Sequence, residues 1–137
     1  MTIKEARERI IARLTDGRGM AHDYEYGVCT YRRESDGLPC AVGCLIADEH
    51  YSSKIEGACT GGLSPKDGKF ESNTDIEYSN VILLAKALND SGVPVEFLRE
   101  MQEWQDRHDS YRNWNGNRYI GPLAITECDA EEHLNDY

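Results

Sequence analysis

Residues 38–48 read Leu38-Pro39-Cys40-Ala41-Val42-Gly43-Cys44-Leu45-Ile46-Ala47-Asp48, and this stretch decides the fold. Proline suits the first turn of a helix, where its missing N–H has no partner to lose and its fixed φ is already helical. The spacing therefore predicts a helix from Cys40 to about Asp48. Its small residues, Cys40, Gly43, Cys44 and Ala47, share one face, while Val42, Leu45 and Ile46 occupy the others. A face without bulk lets a second backbone come close, so this element is expected at the centre of the core.

Upstream, Thr2 and Glu5 have the spacing of a capping box, and Ile3, Ala6, Ile10 and Leu14 form a helical apolar stripe that Gly17 and Gly19 end. Glu5 and Arg9 add an i,i+4 pair in the favourable order. Tyr24, Tyr26, Val28, Thr30 and Tyr31 are strand formers, and Asp36-Gly37 is a turn dipeptide, which predicts a short β-hairpin. Downstream, residues 56–75 carry Gly61-Gly62, Pro65 and Asp67-Gly68 and read as a long loop. A helix is predicted over 76–89, with Val81, Leu84, Ala85 and Leu88 facing the core and Ser91-Gly92 ending it. Another starts at Pro94, with the stripe Phe97, Met101, Trp104 and His108 flanked by Leu98, and with Arg99-Glu103 and Glu103-Arg107 on its wet side. A last short helix begins at about Thr126. The expectation is a mainly α (α+β) fold: a single compact helical domain over 1–137, with about five helices and one short β-hairpin.

Bulk properties narrow the class. The 137 residues are 39% hydrophobic and 29% charged, with a mean hydropathy of −0.65, and no apolar run is long enough to span a bilayer. The first residues are charged where a secretory leader would be apolar, so the chain is expected to start at or near Met1 and to remain cytoplasmic. The cysteines (Cys29, Cys40, Cys44, Cys59 and Cys128) number five, an odd count that fits reduced thiols better than a disulfide scaffold. Asn89-Asp90-Ser91 is then an accidental sequon. A net charge of −10 and a pI near 4.8 exclude broad contact with nucleic-acid phosphates. They permit an acidic surface that meets a basic partner or imitates a nucleic acid. Basic residues gather early, at Lys4, Arg7, Arg9, Arg13 and Arg18. The acidic end, with Glu127, Asp129, Glu131, Glu132 and Asp136, reads as a solubilising tail.

The segment Asp36-Gly37-Leu38-Pro39-Cys40-Ala41-Val42-Gly43-Cys44-Leu45-Ile46-Ala47-Asp48-Glu49 is followed by Tyr51 and Ile55-Glu56-Gly57, and later by Leu98, Gln102, His108-Asp109 and Trp114. This order resembles a family of small uncharacterised proteins of tailed phages and prophages. The shared pattern is a Tyr-Arg stretch, a Gly-Leu-x-Cys-Ala-x-Gly-x-Leu-Ile-x-Asp-Glu core and a distant helix ending in His-Asp. The chain departs from it with Ala47 where proline is common and with a longer glycine-rich loop after Gly57. The resemblance implies a viral or prophage origin and action in the cytoplasm of an infected bacterium; it implies no reaction.

The sharpest chemical reading makes Cys40 a nucleophile. The first turn of a helix stabilises a thiolate, and His108 with Asp109 would complete a Cys-His-Asp order, with Glu56 as a further acid. Cysteine on a small-residue face is more often packing, and a histidine extending an apolar stripe is more often a hydrogen-bonded core residue. Cys40 and Cys44 could share a metal with His108 or His50, but the spacing is not that of a zinc knuckle, so no metal is expected. Thr60-Gly61-Gly62 with Lys66 and Lys69 lacks the helix that a phosphate loop needs. Arg32 and Arg33, beside Tyr24, Tyr26 and Tyr31, are the better anion-binding and ring-stacking candidates, although an amphipathic strand accounts for them too. No cofactor is expected. The preferred reading is a non-catalytic binding protein directed at the host, counter-defence being one such role. Its partner would be a host protein held by the acidic surface, or a small nucleotide signal held by Tyr26, Tyr31, Arg32 and Arg33. The alternative is a small cysteine hydrolase or transferase using Cys40, His108 and Asp109. A homodimer is left open.

Overall fold

The computed structural model describes residues 1–23, 28–73 and 79–125. Among them are three α-helices, α1 (Ile3–Leu14), α2 (Ser79–Asp90) and α3 (Leu98–Asp109). Three antiparallel pairs of short strands accompany them: β1 (His22–Asp23) with β2 (Val28–Cys29), β3 (Leu63–Lys66) with β4 (Lys69–Ser72), and β5 (Trp114–Asn115) with β6 (Arg118–Tyr119). The mixed α+β class is as expected, but among the described residues there are three α-helices rather than about five. Tyr24, Tyr26, the start of the helix expected at 76 and the helix expected from Thr126 lie outside the described residues.

Helix α1 follows its sequence signals. Thr2 Oγ1 accepts the Glu5 N–H at 3.1 Å, and Ala6, Ile10 and Leu14 are fully buried. Arg13 leaves the solvent too. Its Nε donates to Pro39 O at 2.5 Å and its Nη2 to Gly19 O at 2.6 Å, while Nη1 lies 3.2 Å from Asp16. Burial lowers the Arg13 pKa and the Asp16 carboxylate works against that shift. Helix α2 ends in a Schellman turn: Val93 N–H reaches Leu88 O at 3.1 Å, with Gly92 at φ 77° supplying the left-handed residue. On α3 the stripe Phe97, Leu98, Met101, Trp104 and His108 is buried as expected. Arg107, expected on the wet face, is buried instead. Its guanidinium bonds Glu103 at 3.1 Å and Ala124 O at 2.7 Å and lies 5.4 Å from the Trp104 ring centre.

The helix expected at Cys40–Asp48 is reduced to a turn. Cys40 N–H is spent on Tyr31 O (3.0 Å), Val42 N–H on Gln105 Oε1 (2.9 Å) and Gly43 N–H on the Cys40 sulfur (3.2 Å). Only Cys44 N–H returns four residues, to Cys40 O; the 3₁₀ turn Gly43–Leu45 follows, and Ile46 and Ala47 are already extended. Tertiary partners have taken the donors that a helix would use internally. The small-residue face nevertheless behaves as expected. A side chain at Gly43 would collide with the Tyr31 carbonyl oxygen and lie 2.9 Å from its carbon, so Tyr31 and residue 43 meet backbone to backbone. Leu38, Cys40, Ala41, Val42, Leu45 and Ile46 are all buried in the one apolar cluster that all three helices share.

The hairpin expectation was half right. Asp36-Gly37 does turn the chain, with Gly37 at φ 75°, Gly37 N–H on Arg33 O and an isolated bridge between Arg32 and Pro39. Strand pairing with residues 28–29 goes instead to His22–Asp23. The stretch expected as a loop, 56–75, holds an ordered hairpin. Asp67 (φ 52°) and Gly68 (φ 77°) form its two-residue turn, both left-handed as the strand twist demands. Phe70 is buried beneath it, and the Asn89 side chain pairs with the Phe70 backbone, accepting its N–H at 2.9 Å and donating to its oxygen at 3.0 Å. That amide stands where a neighbouring strand would, joining β4 to α2.

Candidate functional site

Two polar clusters fix the residues singled out from the sequence. The first is centred on Glu56. Its Oε1 accepts Tyr31 N–H at 2.9 Å, and its Oε2 accepts Arg32 N–H at 3.1 Å and the Tyr51 hydroxyl at 2.7 Å. Burial and then the Glu56 carboxylate raise the Tyr51 pKa. Tyr31 is buried, and its hydroxyl donates to Ala58 O at 2.5 Å; burial keeps this phenol protonated. Arg32 donates to Ile46 O at 2.8 Å, pairs with Asp48 at 2.8 Å and lies 4.5 Å from the Tyr51 ring centre. Arg33 clasps Asp36 with two bonds, 3.0 and 2.7 Å, which together with Leu38 N–H hold the Asp36 pKa down to about 2. The arginines expected to meet an anion are thus engaged in holding loops. Tyr26 lies outside the described residues.

The second cluster is centred on His108, which has no solvent exposure. Nε2 accepts Ala21 N–H at 3.1 Å, which places the proton on Nδ1, where it is donated to Asp109 Oδ1 at 2.8 Å. Gln105 Nε2 donates to the same Asp109 oxygen at 2.8 Å, and Gln105 Oε1 accepts Val42 N–H. Burial lowers the His108 pKa, while Asp109 opposes the shift. The Trp114 indole N–H closes the cluster on His108 O at 2.8 Å, its ring edge-on to the imidazole.

Cys40 does not join this cluster as a nucleophile would. It is completely buried, its sulfur accepts Gly43 N–H, and burial raises its pKa well above that of a free thiol. A general base needs a ring nitrogen within hydrogen-bond reach of the thiol, and both His108 nitrogens are occupied elsewhere. Nor does Cys40 open a helix that would favour its anion. Cys44 donates to Ala41 O at 3.0 Å, and burial pushes its pKa up to about 12. Among the described residues no group of three or more His, Cys, Asp or Glu side chains is arranged to hold a metal ion.

Between the two clusters lies an open groove of about 400 Å³, lined by Thr30, Tyr31, Glu56–Thr60, Gln105, Asp106 and Asp109. Asp106, Asp109 and Cys59 are exposed. Sequence reasoning missed Gln105, Asp106 and Cys59 as lining residues. The available signal was spacing: positions 105, 106 and 109 fall on one face of a helix. No family model matches the chain, and neither a curated protein nor a solved structure does. Among the described residues no helix is long and apolar enough to cross a membrane.

Proposed function

We propose that this chain is a non-catalytic binding protein of phage or prophage origin that acts on a protein of its bacterial host, counter-defence being the role that suits it. The groove lining carries the choice of partner: Asp106 and Asp109 line it and are exposed, Asp109 also holding His108 and Gln105 through one oxygen, whereas Arg32 and Arg33, which bond Asp48, Ile46 and Asp36, are not among its lining residues. A groove edged by carboxylates suits lysine or arginine side chains, and a phosphate would be repelled there. The net charge of −10 speeds encounter with a basic partner, most strongly at low salt. The phage assignment rests on the resemblance of the cysteine-centred core.

The test is co-purification of the tagged full-length chain from bacterial lysate over a salt series, alongside calorimetry with mono-, di- and cyclic nucleotides. The expected result is a basic protein retained at low salt and released as salt rises, with no nucleotide bound. Nucleotide binding, or the absence of any salt-sensitive basic partner, would overturn the reading.

A further inference from the structure

His108 ties two parts of the chain together through one unprotonated nitrogen. Its Nε2 accepts the buried Ala21 N–H at 3.1 Å, and Ala21 O accepts Thr30 N–H at 3.3 Å. Between those two residues run β1 and β2, paired His22 to Cys29. His108 thus bonds the ribbon base to the end of α3, and Thr30 continues directly into the groove wall. We propose that His108 is an acid-sensitive latch: neutral, it holds the ribbon base to α3; protonated, it releases Ala21 and with it the Thr30 side of the groove.

The chemistry is one of donors and acceptors. An imidazolium has two N–H donors and no acceptor, so a proton on Nε2 would face the Ala21 N–H head on. The surroundings decide how readily that proton arrives. Asp109, bonded at Nδ1, favours it; Arg13, from α1, opposes it; the Trp114 ring packs its edge against the imidazole; and full burial opposes any charge. The ribbon's own histidine, His22, meets the Tyr111 hydroxyl at 3.0 Å instead, so it serves as a control. This inference is independent of the partner proposed above, because its readout needs none.

The experiment is hydrogen exchange of the full chain by NMR, with the His108 ring titrated in the same samples between about pH 7.5 and 5. Below about pH 6.5, where a released imidazole protonates, and above the lower pKa of the latched ring, protection at Ala21 and Thr30 is expected to fall about tenfold per pH unit, because opening then takes up one proton. Protection at Leu84, Leu88 and Trp104 should remain. His22→Gln should leave the fall in place, and His108→Gln, which cannot titrate, should abolish it. Should His108→Gln not fold, the wild-type comparison alone decides. Coincidence of ring titration and Ala21 release supports the latch. Ring titration without release, release of all amides together, or no ring titration before acid unfolding overturns it.

Discussion

Replacing Gly43 by alanine probes the closest packing in the molecule. The added methyl group would overlap the Tyr31 carbonyl oxygen and lie 2.9 Å from Tyr31 C and 3.3 Å from its Cα, all backbone atoms. Tyr31 cannot retreat cheaply, because Glu56 holds its N–H, Ala58 O holds its hydroxyl and Cys40 N–H is bonded to the very oxygen in the way. Overpacking of this kind costs about 1–3 kcal/mol, and a weakened Tyr31–Cys40 hydrogen bond adds about 1 kcal/mol. Loss of backbone freedom in the unfolded chain returns roughly 0.4–1 kcal/mol. The expected net destabilisation is about 2–3 kcal/mol by overlaid urea and thermal unfolding; at about 2 cal/mol/K per residue this lowers Tm by roughly 7–10 °C. Gly37→Ala is the control: at φ 75°, with nothing within 4 Å of the new methyl group, it meets backbone strain alone, about 1 kcal/mol. A Gly43→Ala variant within about 0.5 kcal/mol of wild type would refute the backbone-to-backbone contact.

Three further outcomes are expected. Native-state alkylation should modify exposed Cys59 quickly and Cys40 only through unfolding, as mass spectrometry of quenched peptides would show; equal rates at the two would contradict the burial of Cys40. Asn89→Ala, which strips both partners from the Phe70 backbone, should cost about 2 kcal/mol, and Asn89→Asp, which keeps only the acceptor, less than that. Because the folded state lowers the His108 pKa, the unfolded chain binds the proton more readily. That contribution to stability is full above about pH 6.5 and is lost as pH falls, by up to about 1.4 kcal/mol per pH unit; urea midpoints that do not fall between about pH 6.5 and 5.5 would contradict it.

The helices were readable because their apolar stripes carry a period that only a helix buries. The α3 stripe and the Thr2 cap were placed correctly from spacing alone. The Cys40–Asp48 stretch failed for an instructive reason. Its apolar residues are dense enough for a helix, yet Tyr31, Gln105 and the Cys40 sulfur capture its N–H groups, and those partners are 9, 63 and 3 residues away in sequence. The hairpin at Leu63–Ser72 was hidden because one strand carries Pro65 and both are largely polar; Asp67-Gly68 marked its turn, and Leu63 with Phe70 marked its buried side. At the site, the packing reading of Cys40 and the hydrogen-bonded core reading of His108 were legible from composition and stripe. The occupation of Arg32 and Arg33 was not, because Asp48 and Ile46 come to Arg32 only through the fold.

The proposed meeting of the carboxylate-edged groove with a basic host protein can be read from the affinity of the co-purified partner for wild type and for Asp106→Lys, with circular dichroism confirming the fold of the variant. The expectation is a loss of about tenfold or more at low salt that shrinks as salt screens the charge. Equal affinity for the two proteins, or tighter binding by Asp106→Lys, would contradict it.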